Sequence, residues 1–152
     1  YYELGLQRMN RTLKTFKIDE EQLNVLKSKN FNGKILIITE PWCGDASATV
    51  PAVSKFFEGH NEVRIFYRDS DTSLIDQFLT NGTQSIPKIL ILNEDFSLKN
   101  VWGPRPQYGT ELLKKFKENP ETYPREEFYN DLQVYYAKNK GKDAIQEILD
   151  LL

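Results

Sequence analysis

The segment KILIITEPWCGDASATVPAVSKFF, residues 34–57, constrains the fold more than any other part of the chain. Its first six residues are a short β-branched run of the kind that forms a buried central strand. Just beyond, the pattern turns helical, with Ala46, Val50, Val53, Phe56 and Phe57 on or near one face. Pro51 lies inside that helix and is expected to kink it. A buried strand that passes straight into such a helix needs a second strand to receive the crossover. EVRIFYRD, residues 62–69, supplies it, and a right-handed connection pairs the two strands in parallel.

The rest of the chain extends this unit. PKILILN (87–93) and LKNVW (98–102) flank an NED turn and read as a β-hairpin. DTSLIDQFLTNG (71–82) reads as a short helix stopped by Gly82, and a further helix over 109–118 follows the rigid loop GPRPQYG. The first thirty residues are helical in pattern. Asp19 is placed as an N-cap with Gln22 closing a capping box, and Ile18 and Leu23 stand at the positions of a hydrophobic staple. From Pro124 two more helical patterns, REEFYNDLQVYYAKNK and KDAIQEILDLL, are separated at Gly141. The sum is an α/β sandwich around a mixed sheet of about four strands. With 152 residues, 39% of them hydrophobic, the chain suits a single domain with one core.

Composition excludes several functions. Twenty basic against 22 acidic residues give a net charge of −2, so neither nucleic acid nor a membrane is expected as a partner. The longest apolar run, ILII at 35–38, is far short of the ~20 residues of a spanning helix. Cys43 is the only cysteine and His60 the only histidine, so neither a disulfide nor a zinc site can form within the chain. That favours a reducing compartment, taken as cytoplasmic, although a start at Tyr1 rather than Met leaves a processed or trimmed N-terminus open. DSD at 69–71 lacks the other ligands of a calcium loop and caps the next helix.

Cys43 is the candidate reactive group. At the first turn of a helix it faces unsatisfied N–H groups that favour a thiolate. Gly44 lets the backbone turn beside the sulfur, and Trp42 offers an aromatic surface. Asp45 suits the helix dipole but works against a thiolate, so only a modest lowering of the Cys43 pKa is expected. The plainer reading of a lone cysteine is a small buried residue. For Asp45, Pro51 and His60 the plain readings are a helix-start charge, a kink and a solvated loop. His60 lies at the opposite end of the same helix, roughly 25 Å away at 1.5 Å per residue, which rules out a Cys43–His60 dyad. The tail aromatics Tyr123, Phe128, Tyr129, Tyr135 and Tyr136 read as packing for the added helices rather than as a partner surface.

EPWCGDA, Pro51 and the SIP that ends in Pro87 together resemble the thioredoxin family, in which WCGPC opens a proline-kinked helix and a cis-proline faces the reactive sulfur. PWCGDA is most similar to a single-cysteine bacterial group with an added C-terminal helical segment. The resemblance implies a three-layer α/β/α sandwich in a single domain spanning 1–152. Its core covers about 31–118, with N-terminal helices over 1–30 and a C-terminal helical extension over 119–152. It also implies that Cys43 is the nucleophile and that Ile86 presents its backbone to an extended peptide beside a cis Pro87. Trp42, Gly44, Ile86, Pro87 and the GPRP loop would then rim a groove, with Arg105 near enough to pair with Asp45 or a ligand carboxylate.

Two departures from the family pattern narrow the chemistry. Ala46 stands where the family has its second cysteine, and Ile37 where it has a buried acid, so the dithiol cycle cannot close. No cofactor is expected beyond glutathione as a co-substrate. The leading expectation is a monothiol protein that exchanges thiols with a protein or peptide disulfide, or removes glutathione from one, using an external thiol for resolution. The rivals are a non-catalytic binding or adaptor domain and a redox sensor.

Overall fold

The computed structural model describes residues 2–152, with side chains from residue 3 onward. Two helices lead in, α1 (Tyr2–Thr15) and α2 (Glu20–Lys29). Asp19 caps α2 by accepting the Gln22 N–H at 3.0 Å. The Gln22 side chain does not bond back to Asp19. Its amide donates to the Lys142 carbonyl at 2.9 Å and so ties α2 to the far end of the chain. Ile18, expected to staple onto Leu23, remains 46% exposed, while Leu23 packs on the main core.

Four strands follow: β1 (Lys34–Thr39), β2 (Glu62–Tyr67), β3 (Lys88–Leu92) and β4 (Leu98–Trp102), in the order β2-β1-β3-β4. β1 runs parallel to β2 with Ile37 opposite Ile65, and antiparallel to β3 with Ile37 opposite Ile89. β3 and β4 form the antiparallel hairpin, with an irregularity between Ile91 and Leu92. The two central strands carry the uninterrupted apolar runs, because strands covered on both faces have no solvent side to alternate toward. Ile35, Ile37, Ile38, Ile89 and Ile91 are accordingly fully buried.

Helix α3 (Gly44–Phe57) returns the chain from β1 to β2, and Pro51 lies inside it without ending it. It sinks Ala46, Val53, Phe56 and Phe57 into the core, where the two phenyl rings meet edge to face at 5.0 Å. Burying each large side chain contributes about 1.5–3 kcal/mol. The helix expected over 71–82 does not form. Only 3₁₀ turns at Arg68–Ser70 and Ile75–Gln77 are present. Asp71 turns back to accept the Ser73 N–H, a local bond that competes with helix, and Asn81 and Gly82 adopt positive φ soon after.

The helices α4 (Gln107–Glu118), α5 (Arg125–Asn139) and α6 (Lys142–Asp150) complete the chain, α4 starting two residues earlier than expected. α5 and α4 close a second apolar cluster of Tyr123, Phe128, Leu132 and Tyr136 against Leu112, Leu113 and Phe116. α6 instead enters the main core through Ala144, Ile145, Ile148 and Leu149. Gly141 makes that possible: its φ is +81°, and a Cβ there would stand 2.4 Å from the Ala52 Cβ of α3. Glu147 of α6 then accepts the Trp102 indole N–H at 2.8 Å and the Gln107 backbone N–H at 3.0 Å, fastening β4 and α4 to it. The result is the expected α/β sandwich with a mixed four-stranded sheet and helical extensions at both ends. Among the described residues no helix is long and apolar enough to cross a membrane.

Candidate functional site

β1 ends at Thr39, and Glu40, Pro41 and Trp42 turn the chain so that Cys43 becomes the N-cap of α3. The turn is closed by the Cys43 N–H donating to the Glu40 carbonyl at 3.3 Å. Cys43 is only 8% exposed, and its S–H donates to the Ile86 carbonyl at 3.4 Å. The Ile86–Pro87 peptide bond is cis, as is Gly103–Pro104. Burial pushes the Cys43 thiol above its ordinary pKa, and the Asp45 charge adds to the rise. The N–H groups of Ala46 and Asp45 and the Arg105 charge pull the other way and lose. The expected modest lowering is therefore overturned. The helix start acts as anticipated, but desolvation outweighs it.

Asp45 is more than a charge at the helix start. Arg105 grips it with two donors, at 2.9 Å to Oδ2 and 3.4 Å to Oδ1, and the Tyr136 hydroxyl also donates to Oδ1. The pair is largely shielded from solvent, with the carboxylate side chain 13% and the guanidinium side chain 18% accessible. Burial and the adjacent Asp45 charge hold the Tyr136 phenol well above its usual pKa, so it stays a donor. Asp45 thereby joins the GPRP loop to α5 directly beside the sulfur.

A groove of about 560 Å³ opens over this cluster. Trp42, Cys43, Gly44, Asp45 and Arg105 form its floor and one wall. Leu4 and Arg8 from α1 and Phe128, Leu132 and Gln133 from α5 form the other. The expected rim of Trp42, Gly44, Arg105, Ile86 and Pro87 is thus kept in part. Ile86 and Pro87 are buried and do not line the groove, and the Ile86 carbonyl is already engaged by the sulfur. Ile86 packs into the main core instead. α1 closes on the turn before the sulfur, where a Cβ on Gly5 would stand 2.6 Å from the Pro41 carbonyl oxygen.

Three residues near the site escaped the sequence. Arg68 lies 5.2 Å from the centre of the Trp42 ring, pairs with Asp69 at 2.9 Å and donates to the Gln84 carbonyl at 3.1 Å. The buried Glu40 accepts the Asp69 N–H at 2.8 Å. A signal for both was present, since parallel pairing sets Tyr67 beside Thr39 and therefore brings the next residues of the two strands together. Lys88, which follows Pro87, is buried with its ammonium on Thr80 and the Gly103 carbonyl, and burial lowers its pKa. No periodicity marks a lysine inside an apolar run as buried.

A lone cysteine capping a helix that leaves the central strand of a β2-β1-β3-β4 sheet, with its sulfur on the residue before a cis-proline, defines a thioredoxin-fold protein with half of the usual cysteine pair. The chain belongs to the thioredoxin family, whose model matches residues 1–117. No curated protein matches it. Similar solved structures include the crystal structure of an HIV epitope-scaffold, with a TM-score of 0.71 and 18% identity over 99% of this chain and 83% of that one. Another is a 1.5 Å crystal structure of a protein of unknown function from Pseudomonas aeruginosa, with a TM-score of 0.63 and 18% identity over 99% of this chain and 82% of that one. At such identity the likeness concerns the fold alone. It nevertheless takes in α5 and α6, which lie beyond the family match.

Proposed function

We propose that this protein is a thioredoxin-fold binding domain whose ligand occupies the groove over Cys43, and that it does not run a dithiol catalytic cycle. The observation that carries the reading is the setting of the sulfur: Cys43 is buried with its S–H on the Ile86 carbonyl, and that burial raises the thiol pKa. A thioredoxin-type nucleophile needs its thiolate, and an extended peptide docking beside Pro87 would have to reach Ile86 and Pro87, which are both buried. Ala46 in place of a second cysteine agrees with this reading. The ligand side is supported by a concave, mainly apolar groove with a few polar groups at its edge, the usual make-up of a binding site.

Iodoacetamide alkylation of Cys43 across pH tests it. The rate should rise with a midpoint above the ~8.5 of a free thiol, and ligand capture should survive Cys43→Ala. A midpoint below that value, with capture lost in Cys43→Ala, would reverse the assignment. One observation favours a second reading, monothiol exchange: Cys43 does line the groove, beside Arg8. In that chemistry the Cys43 thiolate would attack a glutathionylated protein, release its thiol and keep glutathione as a mixed disulfide. A second glutathione would then attack that disulfide and leave as oxidised glutathione. A glutathione-coupled reductase assay that runs equally fast with Cys43→Ser eliminates it.

A further inference from the structure

α1 and α5 both lie over α3, and the gap between them continues past the groove. Beyond Arg8 and Gln133, which line both spaces, lies a second cavity of about 80 Å³ whose wall includes Arg11 and Thr12 of α1 and Lys140 at the end of α5. Three cations converge here. Among the described residues none of Arg8, Arg11 and Lys140 has an acidic partner within ion-pair distance. Lys140 is accounted for as the C-cap of α5, where a positive charge suits the helix dipole. Arg8 and Arg11 are not: they stand three residues apart on α1, so their mutual repulsion destabilises that helix. An anion between them would turn the repulsion into charge-assisted hydrogen bonds. On the other side of Arg8 the seam is mainly apolar, walled by Leu4, Trp42, Phe128 and Leu132, and the one cation there besides Arg8, Arg105, is already paired with Asp45.

We infer that the α1–α5 seam binds an alkyl-chain anion, with its head against Arg8, Arg11 and Lys140 and its chain running over Trp42 toward Cys43. This rests on the binding reading of the groove and gives that ligand a chemical class. The polarity of the seam decides the orientation, because cations gather at one end and apolar side chains at the other. From Leu4 to Arg11 the seam spans about 10 Å at 1.5 Å per residue. That length suits a medium-length chain. The shared chemistry is one anionic head on an unbranched apolar body, available as a carboxylate or as a phosphate monoester.

Decanoate, decyl phosphate, decanol, decyltrimethylammonium and inorganic phosphate form the test set on the full chain. Binding is read from isothermal titration calorimetry, and its place from tryptophan fluorescence and from protection of Cys43 against alkylation. The two decyl anions should bind at least tenfold more tightly than decanol or the ammonium, and inorganic phosphate should bind weakly without protecting Cys43. The better of the two anions identifies the natural head group. Arg8→Gln combined with Arg11→Gln should abolish the preference for the anions over decanol. Equal binding of anion, alcohol and ammonium by the unaltered protein overturns the inference without recourse to any variant. If decanol alone protects Cys43, the charged-head proposal fails and the groove survives. If the anions bind yet neither tryptophan nor Cys43 responds, the seam orientation fails together with the groove reading.

Discussion

Asp45 stands two residues after Cys43, and its position between Arg105 and Tyr136 sets what the sulfur can do. Asp45→Asn removes a negative charge that opposes the thiolate, so the Cys43 pKa should fall and alkylation at pH 8 should accelerate. The same change weakens the acceptor of a shielded guanidinium and should cost about 1–3 kcal/mol in urea unfolding. The thiol also predicts a pH dependence. Its folded pKa is raised, so the folded state holds the proton more tightly than the unfolded chain does. The associated stability is complete below the unfolded value of about 8.5 and is lost as pH rises through the folded pKa. Cys43→Ser should therefore show a shallower loss of stability than the parent as pH rises above about 8.5. Parallel slopes would contradict the buried-thiol assignment. The sequence identified Cys43, and it named Arg105 as a partner for Asp45 from loop adjacency alone. It misjudged the direction of the thiol shift because the local helix start is visible in seven residues, while the burial that raises the thiol pKa comes from the packing of Cys43 into the main core with Ile86.

At the scale of the element, α6 shows why a tail is not always an appendage. Its Ile145, Ile148 and Leu149 complete the main core, and Gly141 sets its approach to α3. Gly141→Ala would force a side chain into a left-handed backbone at about 1–2 kcal/mol and against Ala52 besides. The expected total of roughly 2 kcal/mol or more should appear as a lower urea midpoint with an unchanged m-value. No loss would mean that the turn relaxes and that α6 is not held by it. The strands and α3 were legible because a buried strand and a one-faced helix have distinct periods. The stretch 71–82 was not, since Asp71, Ser73, Asn81 and Gly82 prefer bonds and backbone angles that periodicity does not register. Nor could any local pattern show that the Gln22 amide would choose Lys142 over its own cap.

For the whole molecule, α1 and α5 meet at the start of α3: Arg8 and Gln133 both stand beside Gly44 and line the groove with Cys43. Two explanations for a silent thiol can then be separated, a missing partner cysteine or a covering by the extensions. Ala46→Cys restores the partner at a fully buried position one helical turn from Cys43. If the partner were all that was missing, this variant would reduce protein disulfides at a substantial rate. Covering predicts otherwise: an internal disulfide on oxidation, since the two sulfurs need only each other, but slow reduction of a bulky protein substrate. Removing residues 1–15 should then free the site, and Gly5 is the only buried residue among residues 3–15, so the core should persist. The Ala46→Cys protein without α1 should act at least tenfold faster on insulin than Ala46→Cys alone, with far-UV circular dichroism reporting that the fold is retained. Equal rates for the two would show that α1 does not shield the sulfur, and the groove would have to be explained without it.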